Sequence, residues 1–440
     1  MDVPQGVFKS SQKLKNHQLK YLNRLLEITY KENEFYKTFY RRKRLIFPKK
    51  INSWEEYAKL PLVSRKDLQY DYEKHPPLGR NINLKQMAKV KIRRTSGTTG
   101  RSLYFVESEE DRKTKFKMLQ RRYGHLGVDD KDVIYMFWPP DMYEFHAEVF
   151  MSLGATVYMT DLIPDIEIIK NINRQKINNI FLSPSHAVQL SHIVAKEKVS
   201  IDRKIKRRFF LNGEPGGFDW QFRKKIKEVW NAECVNIGGA SELDQIFTEC
   251  PQSPGYSHLA EEFLLCEIIN PDTLKPDLVG ELVVTALWKT GSSFIRYRTG
   301  DKVTMVGKKC RCGNVTTLIE GGLQGRMDQA INLNSALIYT NGVEAIIRRY
   351  FEIIDYRIEI LNINERNFFR IYIETDKLNK RAQNKMLWEL EAYVYHRPEI
   401  KIVAPGTFKS NIWKTKRIID SRNNKIKSIL LSTPFLKRWV

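Results

Sequence analysis

From about Lys89 to Gly239 the chain runs through short apolar stretches, VKIRRTS, DVIYMFW, ATVYMTD, NNIFLSP, RRFFLNG and ECVNIGG, set between helical patterns such as Asp165 to Gln175 and Phe218 to Trp230. Short runs rich in β-branched and aromatic residues are strand material, and their alternation with helices predicts a parallel α/β sheet. The first sixty residues differ. Leu14 to Tyr40 places apolar residues at mixed three and four spacing and predicts helix, Phe47 to Ser53 reads as a loop, and Trp54 to Leu60 as a short helix. Past Phe263 the runs FLLCEIIN, GELVVTAL, FIRYRTGD and KVTMVG follow one another with turns and no helical pattern between them, which predicts a β-rich subdomain. After Gly325, strand and helix patterns return as AINLN, Gly342 to Phe351, IEILNI, FFRIYIET, Lys377 to Tyr395 and IKIVAP, predicting a small α+β unit. The expected fold is α/β: a large N-terminal domain of several subdomains over residues 1–324, with parallel sheets plus the β-rich part, and a small α+β C-terminal domain over 325–440.

Bulk properties narrow the class. A chain of 440 residues exceeds one ordinary core, and 42% hydrophobic with 28% charged residues is a globular composition that excludes a disordered chain. No apolar run reaches membrane-spanning length and MDVPQGVFKSSQKLKNHQLK lacks the apolar stretch of a secretory signal, so the expected address is the cytoplasm. Five cysteines there read as reduced thiols or metal ligands, not as a disulfide framework. Lys and Arg total 74 against 51 acidic residues, a formal charge of +23 that attracts polyanions. The cations are spread along the chain, including KIKRR at Lys204 to Arg208 and the tail FLKRWV, so a solvated basic surface stands beside peripheral membrane or anionic polysaccharide contact. No helix-turn-helix, finger or RRM-type signature accompanies the charge, which argues against nucleic acid.

Three motifs carry candidate chemistry. Thr95 to Arg101 read TSGTTGR directly after VKIRR: two glycines let backbone approach a polyanion, and the hydroxyls with Arg101 can donate to phosphate oxygens. It is not a Walker A loop, since no Gly-Lys-Ser/Thr follows, and taken alone such a stretch is more often a plain solvated loop. Phe294 to Asp301 read FIRYRTGD, placing Arg296, Arg298 and Asp301 at the end of a strand candidate, where the carboxylate can accept both hydroxyls of a ribose. Pro405 to Arg417 read PGTFKSNIWKTKR, a loop presenting Lys409, Lys414 and Lys416.

In this order TSGTTGR, GGASE (Gly238 to Glu242), GEL (Gly280 to Leu282), RYRTGD, GRMD (Gly325 to Asp328) and the terminal lysine loop resemble the core motifs of the adenylate-forming superfamily. Within it the chain resembles the phenylacetate-CoA ligase branch and its CapK-like capsule-biosynthesis relatives, through ENEFYKTFY, LPLVSRKDL and NGEP at Asn212 to Pro215. The resemblance implies an enzyme that uses ATP and Mg²⁺ to activate a small carboxylic acid as an acyl-AMP and passes the acyl group to CoA or another acceptor. Thr95, Ser96, Gly97, Thr98, Thr99, Gly100 and Arg101 would hold the phosphates, Gly213, Glu214 and Pro215 the adenine, and Gly239, Ala240 and Ser241 the nucleotide. Glu242 would help hold magnesium, Asp301 and Arg326 would hold the ribose, Asp328 would lie at the hinge of a C-terminal lid, and Lys414 would be the catalytic lysine. No side-chain nucleophile is needed, because charge building up on the phosphoryl oxygens can be neutralised by fixed donors and the metal.

Two departures stand out. Gly238 occupies the place where the family usually has Tyr, and Trp413 stands where it usually has Gly before the lysine. They keep a nucleotide-binding pseudoenzyme or scaffold in view, while the capsule-type resemblance admits amide or ester transfer to a sugar or amine, and a homodimer stays open. Cys250, His258, Cys310 and Cys312 suffice for a closed zinc site although C-x-C is shorter than the usual spacing, and some phenylacetate-CoA ligase-like members look similar. Cys234 and Cys266 lie in apolar runs and read as ordinary thiols. Trp138, Pro139, Tyr143, Phe145 and His146 cluster after DVIYMFW, as an acyl pocket or as core packing. His186 reads as a satisfied polar group or a pocket residue.

Overall fold

The computed structural model describes residues 1, 8–83, 89–95, 102–137, 140–159, 163–214, 216–308, 310–327, 330–333, 336–363, 366–408 and 417–422. The chain opens with α1 (Ser11–Glu32), α2 (Glu34–Arg42), α3 (Trp54–Ala58) and α4 (Arg65–Lys74), followed by β1 (Lys91–Arg94), β2 (Tyr104–Glu107) and α5 (Glu109–His125). Next come β3 (Val133–Met136), α6 (Pro140–Ser152), β4 (Thr156–Met159), α7 (Asp165–Arg174), β5 (Asn179–Leu182), α8 (Pro184–Lys196), β6 (Arg207–Leu211) and α9 (Trp220–Trp230). The middle of the chain is β7 (Ala232–Ala240), β8 (Asp244–Cys250), β9 (Ser253–Leu259), β10 (Leu264–Ile269), β11 (Val279–Ala286), β12 (Tyr297–Gly307) and β13 (Leu318–Glu320). The C-terminal part is β14 (Ile331–Leu333), β15 (Ala336–Ile338), α10 (Thr340–Ile347), β16 (Ile353–Ile363), β17 (Arg366–Thr375), α11 (Lys380–Val394), β18 (Glu399–Val403) and β19 (Ile418–Asp420). The expected α/β class is what the chain adopts.

Two compact units result. One gathers Met1–Ile134, Pro139–Met159 and Val235–Leu323; the other gathers Tyr135–Trp138, Thr160–Cys234 and Gln324–Val440. In the first unit β10, β11, β12, β13, β9, β8 and β7 are neighbours in that order, paired antiparallel throughout. The single helix expected over Leu14 to Tyr40 is two. Asn33 ends α1 by donating its N–H to the Thr29 carbonyl, and starts α2 by accepting from the Tyr36 N–H at 3.1 Å. VKIRRTS does not enter a parallel sheet: β1 pairs antiparallel with β2, from Lys91 opposite Glu107 to Arg94 opposite Tyr104. A buried polar network fixes the N-terminal helices to the loop after β11. Thr29 Oγ1 lies 2.7 Å from Ser293 Oγ, the Tyr36 hydroxyl accepts from the Ile295 N–H at 2.8 Å, and Asp111 accepts from the Thr290 and Gly291 N–H groups.

In the second unit β5 and β6 pair parallel, and Trp230 at the end of α9 donates to Ser191 of α8 at 2.8 Å. A four-stranded sheet of order β18, β17, β16, β19 has an antiparallel centre, with β18 and β19 added parallel at its edges. Ile358, Ile371, Ile373, Ile347, Met386 and Leu390 form its core against α10 and α11. This unit also packs α8 on β16. Among the described residues no helix is long and apolar enough to cross a membrane.

Candidate active site

The centre of the site in the first unit is Glu242, in the turn of the β7–β8 hairpin and only 4% exposed. Its Oε1 accepts from the Tyr297 hydroxyl at 2.9 Å and lies 4.0 Å from Arg65 Nη1. Arg65 Nη2 in turn donates to Thr95 Oγ1 at 2.7 Å, and the same Oγ1 accepts from the Leu103 N–H at 2.9 Å. Thus GGASE, RYRTGD, LPLVSRKDL and the first residue of TSGTTGR meet through two hydrogen bonds and one ion pair. Arg65 reaches this point because Val63 forms a parallel bridge with Tyr297. The sequence offered Arg65 and Tyr297 only as letters within motifs, with no sign that they touch.

RYRTGD is a bulge in β12. Glu281 faces Lys302 and Val283 faces Arg298, so Thr299, Gly300 and Asp301 are looped out of register with β11. Gly300 takes φ +76, which favours glycine, and donates its N–H to Glu281 Oε1 at 3.0 Å. Thr299 Oγ1 donates to the Leu282 carbonyl at 2.8 Å and accepts from the Asp301 N–H at 3.0 Å. These bonds fix the backbone of the bulge, and Asp301 is held 7% exposed. Arg298 lies on Glu281 at 2.6 Å, which gives the Glu of GEL its role as a brace. Arg296 is structural: it holds Glu267 at 2.8 Å and the carbonyls of Ala58 and Leu60.

The glycines of GGASE have steric causes. A Cβ on Gly238 would meet the Phe247 ring at 2.5 Å, and one on Gly239 would lie 1.8 Å from the Asp244 carbonyl oxygen. The buried Phe247 ring of the neighbouring strand fills the space beside position 238. Ala240 faces Asp244 at the hairpin end and Ser241 is exposed beside Glu242. Asp244 anchors the turn. Burial would raise its pKa, but Lys115 at 2.6 Å, with Lys289 and Arg93, holds it down at about 2.

No family model matches the sequence. The phenylacetate-coenzyme A ligase of Thermus thermophilus is 25% identical over 359 residues, 78% of this chain and 77% of that protein. The enzyme of the same name from Pseudomonas putida is 22% identical over 401 residues, 85% of this chain and 87% of its own. A crystal structure of 2-hydroxyisobutyryl-CoA ligase in the postadenylation state, in complex with 2-HIB-AMP, superposes with a TM-score of 0.82 at 19% identity, over 95% of this chain and 91% of that one. The chain thus has the fold of an adenylate-forming ligase and is similar to phenylacetate-coenzyme A ligases over most of its length.

In the second unit, Gly213 takes φ +85 and is exposed, while the carboxylate of Glu214 is committed to protein partners. It accepts from the Ser185 N–H at 3.2 Å and pairs with Arg417 at 3.3 Å and Arg348 at 3.5 Å. Burial would raise its pKa, but the two guanidiniums outweigh that and hold it at about 2. Arg326 is half-buried in this unit, after Gly325 at φ +142. Ser96, Gly97, Thr98, Thr99, Gly100, Arg101, Pro215, Asp328, Lys409, Lys414, Lys416, Trp138 and Pro139 lie outside the described residues.

Cys250, His258, Cys310 and Cys312 converge, with their ligand atoms all within 4.8 Å of one another. Cys250 closes β8 and His258 lies in β9, so these two sit in one hairpin; the two later cysteines come from the turn before β13. Cys250 Sγ is 3.5 Å from Cys310 Sγ, and Cys312 Sγ is 3.3 Å from His258 Nε2. Tetrahedral zinc with bonds of about 2.3 Å spaces its ligands at roughly 3.8 Å, so the donor set fits such an ion. His258 Nδ1 faces the Thr316 carbonyl at 3.3 Å, a contact that directs the Nε2 lone pair into the cluster.

His146 and His186 are satisfied interior groups. The Tyr123 hydroxyl meets His146 Nδ1 at 2.9 Å, and Ser183 Oγ meets His186 Nδ1 at 3.1 Å. Burial lowers the pKa of His146 to about 3 and of His186 to about 4. Because both folded values lie below the unfolded one, these histidines stabilise the fold fully above pH 6.5, and that contribution is lost as pH falls toward 4. Each is expected to cost roughly 2 kcal/mol of stability by pH 5. Urea titrations at pH 7.5 and pH 5 check this, and His186→Gln is expected to remove its share of the difference.

Proposed function

We propose that the protein is an adenylate-forming ligase that activates a small carboxylic acid with ATP and transfers the acyl group to CoA. The observation that carries this reading is the meeting of Thr95, Arg65, Glu242 and Tyr297, with Asp301 four residues beyond Tyr297 on the same strand. In the first step the substrate carboxylate oxygen attacks the α-phosphorus, the bond to the bridging oxygen breaks, and pyrophosphate leaves. In the second the CoA sulfur attacks the acyl carbon, its proton is lost, and AMP departs. Asp301, braced within its bulge, accepts the ribose hydroxyls. Arg65 and Thr95 fix the start of the phosphate turn, and Glu242 is the hard oxygen donor suited to Mg²⁺. That ion, when bound, neutralises charge on the phosphoryl oxygens. Lys414 supplies a cation at the reacting phosphate, on a C-terminal domain that acts as a lid with Asp328 at its hinge. The Cys250, His258, Cys310 and Cys312 set holds a structural zinc.

Support for the acyl-AMP comes from the 2-hydroxyisobutyryl-CoA ligase, and for CoA from that protein's capture with CoA and from the names of both phenylacetate relatives. The test is ATP–pyrophosphate exchange with purified protein, magnesium and a panel of aromatic and aliphatic acids, followed by mass detection of a thioester after CoA is added. Acid-dependent exchange with a CoA thioester is expected. ATP binding without exchange with any acid would indicate a pseudoenzyme, and exchange with transfer only to an amine or sugar would indicate the capsule-type acceptor.

A further inference from the structure

We infer that the segment Arg41 to Lys50, with the cavity beside it, docks on a lipid bilayer whose headgroups carry anionic phosphates. The segment reads RRKRLIFPKK, with six cations, no carboxylate, and Leu45 and Ile46 in its middle. It leaves the end of α2 and is anchored on both sides. The Lys43 N–H donates to the Phe39 carbonyl at 3.2 Å and the Leu45 N–H to the Tyr40 carbonyl at 3.0 Å, with Arg44 between them at φ +57. Phe47 is 5% exposed and packs on the rings of Tyr30, Tyr36 and Tyr40, at 6.3, 5.8 and 4.7 Å between centroids. Asn23 then exchanges hydrogen bonds with the backbone of Ile51, at 2.8 and 2.9 Å. Between these anchors Leu45 is 46% and Ile46 92% exposed, the latter the most exposed large apolar side chain among the described residues.

A single exposed apolar residue means little, and a run of cations is commonly just solvated. Here the two coincide, and the cations are left over. Among the described residues Arg41, Arg42, Lys43, Arg44, Lys49 and Lys50 form no ion pair, whereas cations of the flanking helices do. Lys31 pairs with Glu27 at 2.5 Å, Lys37 with Glu34 at 2.7 Å and Arg80 with Asp71 at 2.7 Å. Arg42 also lines a cavity of about 130 Å³ between α2 and α4, together with Thr38, Lys66, Tyr70, Asp71 and Arg80. Asp71 is occupied by the Arg80 N–H, Nε and Nη2, at 2.6, 2.8 and 2.7 Å, so Arg42 and Lys66 remain to receive a phosphate there. An acidic protein or polysaccharide would satisfy these cations and leave Leu45 and Ile46 against polar groups. A bilayer supplies phosphates at its surface and acyl chains just beneath, matching cations around a protruding apolar pair.

The test is flotation of the full-length protein with vesicles of phosphatidylcholine alone, or of phosphatidylcholine and phosphatidylglycerol in equal parts. Wild type is expected to float with the anionic vesicles only, and less so as salt is raised. Each loop cation removed is expected to weaken binding about fivefold, so Arg41→Gln with Lys50→Gln, and Arg42→Gln with Lys66→Gln, should each lose roughly 25-fold. Ile46→Ser is expected to weaken vesicle binding about tenfold or more while leaving retention on heparin unchanged, and Ile46→Trp to strengthen vesicle binding. All these side chains are at the surface, so melting temperatures are expected to stay at the wild-type value. Lys204→Gln with Lys206→Gln, an equal change of charge elsewhere, is expected to lose much less. Wild type that fails to float with anionic vesicles, or that floats equally with phosphatidylcholine, overturns the proposal. So does an equal loss from the Lys204 and Lys206 pair, which would assign the attraction to net charge. Vesicle binding insensitive to Ile46→Ser and Ile46→Trp, with heparin retention that depends on the loop cations, overturns it in favour of a polyanionic chain. None of these outcomes depends on the adenylation reading.

Discussion

Glu242→Gln is expected to lower ATP–pyrophosphate exchange by roughly 10²–10³-fold, the range found when one preorganised charged group is removed from a phosphoryl site. Gln keeps the carbonyl oxygen that accepts from the Tyr297 hydroxyl at 2.9 Å, so the hairpin turn retains its main tie. What is lost is the negative charge that faces Arg65 at 4.0 Å and that provides a hard oxygen donor. The effect is expected in kcat and in the magnesium concentration needed for half-maximal rate, with the melting temperature nearly unchanged. Exchange at the wild-type rate with normal magnesium dependence would remove Glu242 from the chemistry and leave it as a bracket between Tyr297 and Arg65. Asp301→Asn offers a contrast, because a ribose contact acts mainly on the KM for ATP.

The second large effect concerns the Cys/His cluster. Cys312→Ser is expected to reduce bound zinc from one per chain to substoichiometric and to lower the melting temperature by roughly 10 °C, since structural zinc supplies several kcal/mol or more and each kcal/mol moves a chain of this size by a few degrees. The cluster ties the β8–β9 hairpin to the turn before β13, and β13 is only three residues long. Pairing of Leu318 with His258 through Glu320 with Tyr256 is a short ladder to hold two hairpins together without a staple. Metal analysis and thermal melts measured together decide the matter. A protein without zinc and with an unchanged melt would make the four residues plain thiols and an imidazole. Activity at low temperature is expected to persist, as the cluster adjoins none of the motif residues in sequence.

The alternation of short apolar runs with helical patterns gave the α/β class, and the order of TSGTTGR, GGASE, GEL, RYRTGD and GRMD marked the segments proposed for the site, because tight turns, phosphate approach and bulges require particular residue types at fixed local spacing. The C-terminal strands and helices were legible from periodicity, as were β5, β6 and β7. The break at Asn33 was not, since Leu14 to Tyr40 keeps its apolar spacing through a residue that both ends and begins a helix. Nor was the antiparallel pairing of β1 with β2, because strand direction is not written in a short apolar run.

What the sequence by itself determined are the local events: which segments become strands and helices, where glycine must stand in the bulge at Gly300, and which side chains carry charge. Only the tertiary structure decided what those charges do. Arg296 and Arg298 look alike in FIRYRTGD, yet each is neutralised by a glutamate from a different strand, Glu267 and Glu281. Arg65 and Glu214 gave no sign of their partners, which lie 30 and 177 residues away at Thr95 and Glu242 for the first, and 134 and 203 residues away at Arg348 and Arg417 for the second. The physical reason is that conformational preference is set by neighbours along the chain, whereas a buried charge is stabilised or wasted by whatever folding brings within a few ångströms of it.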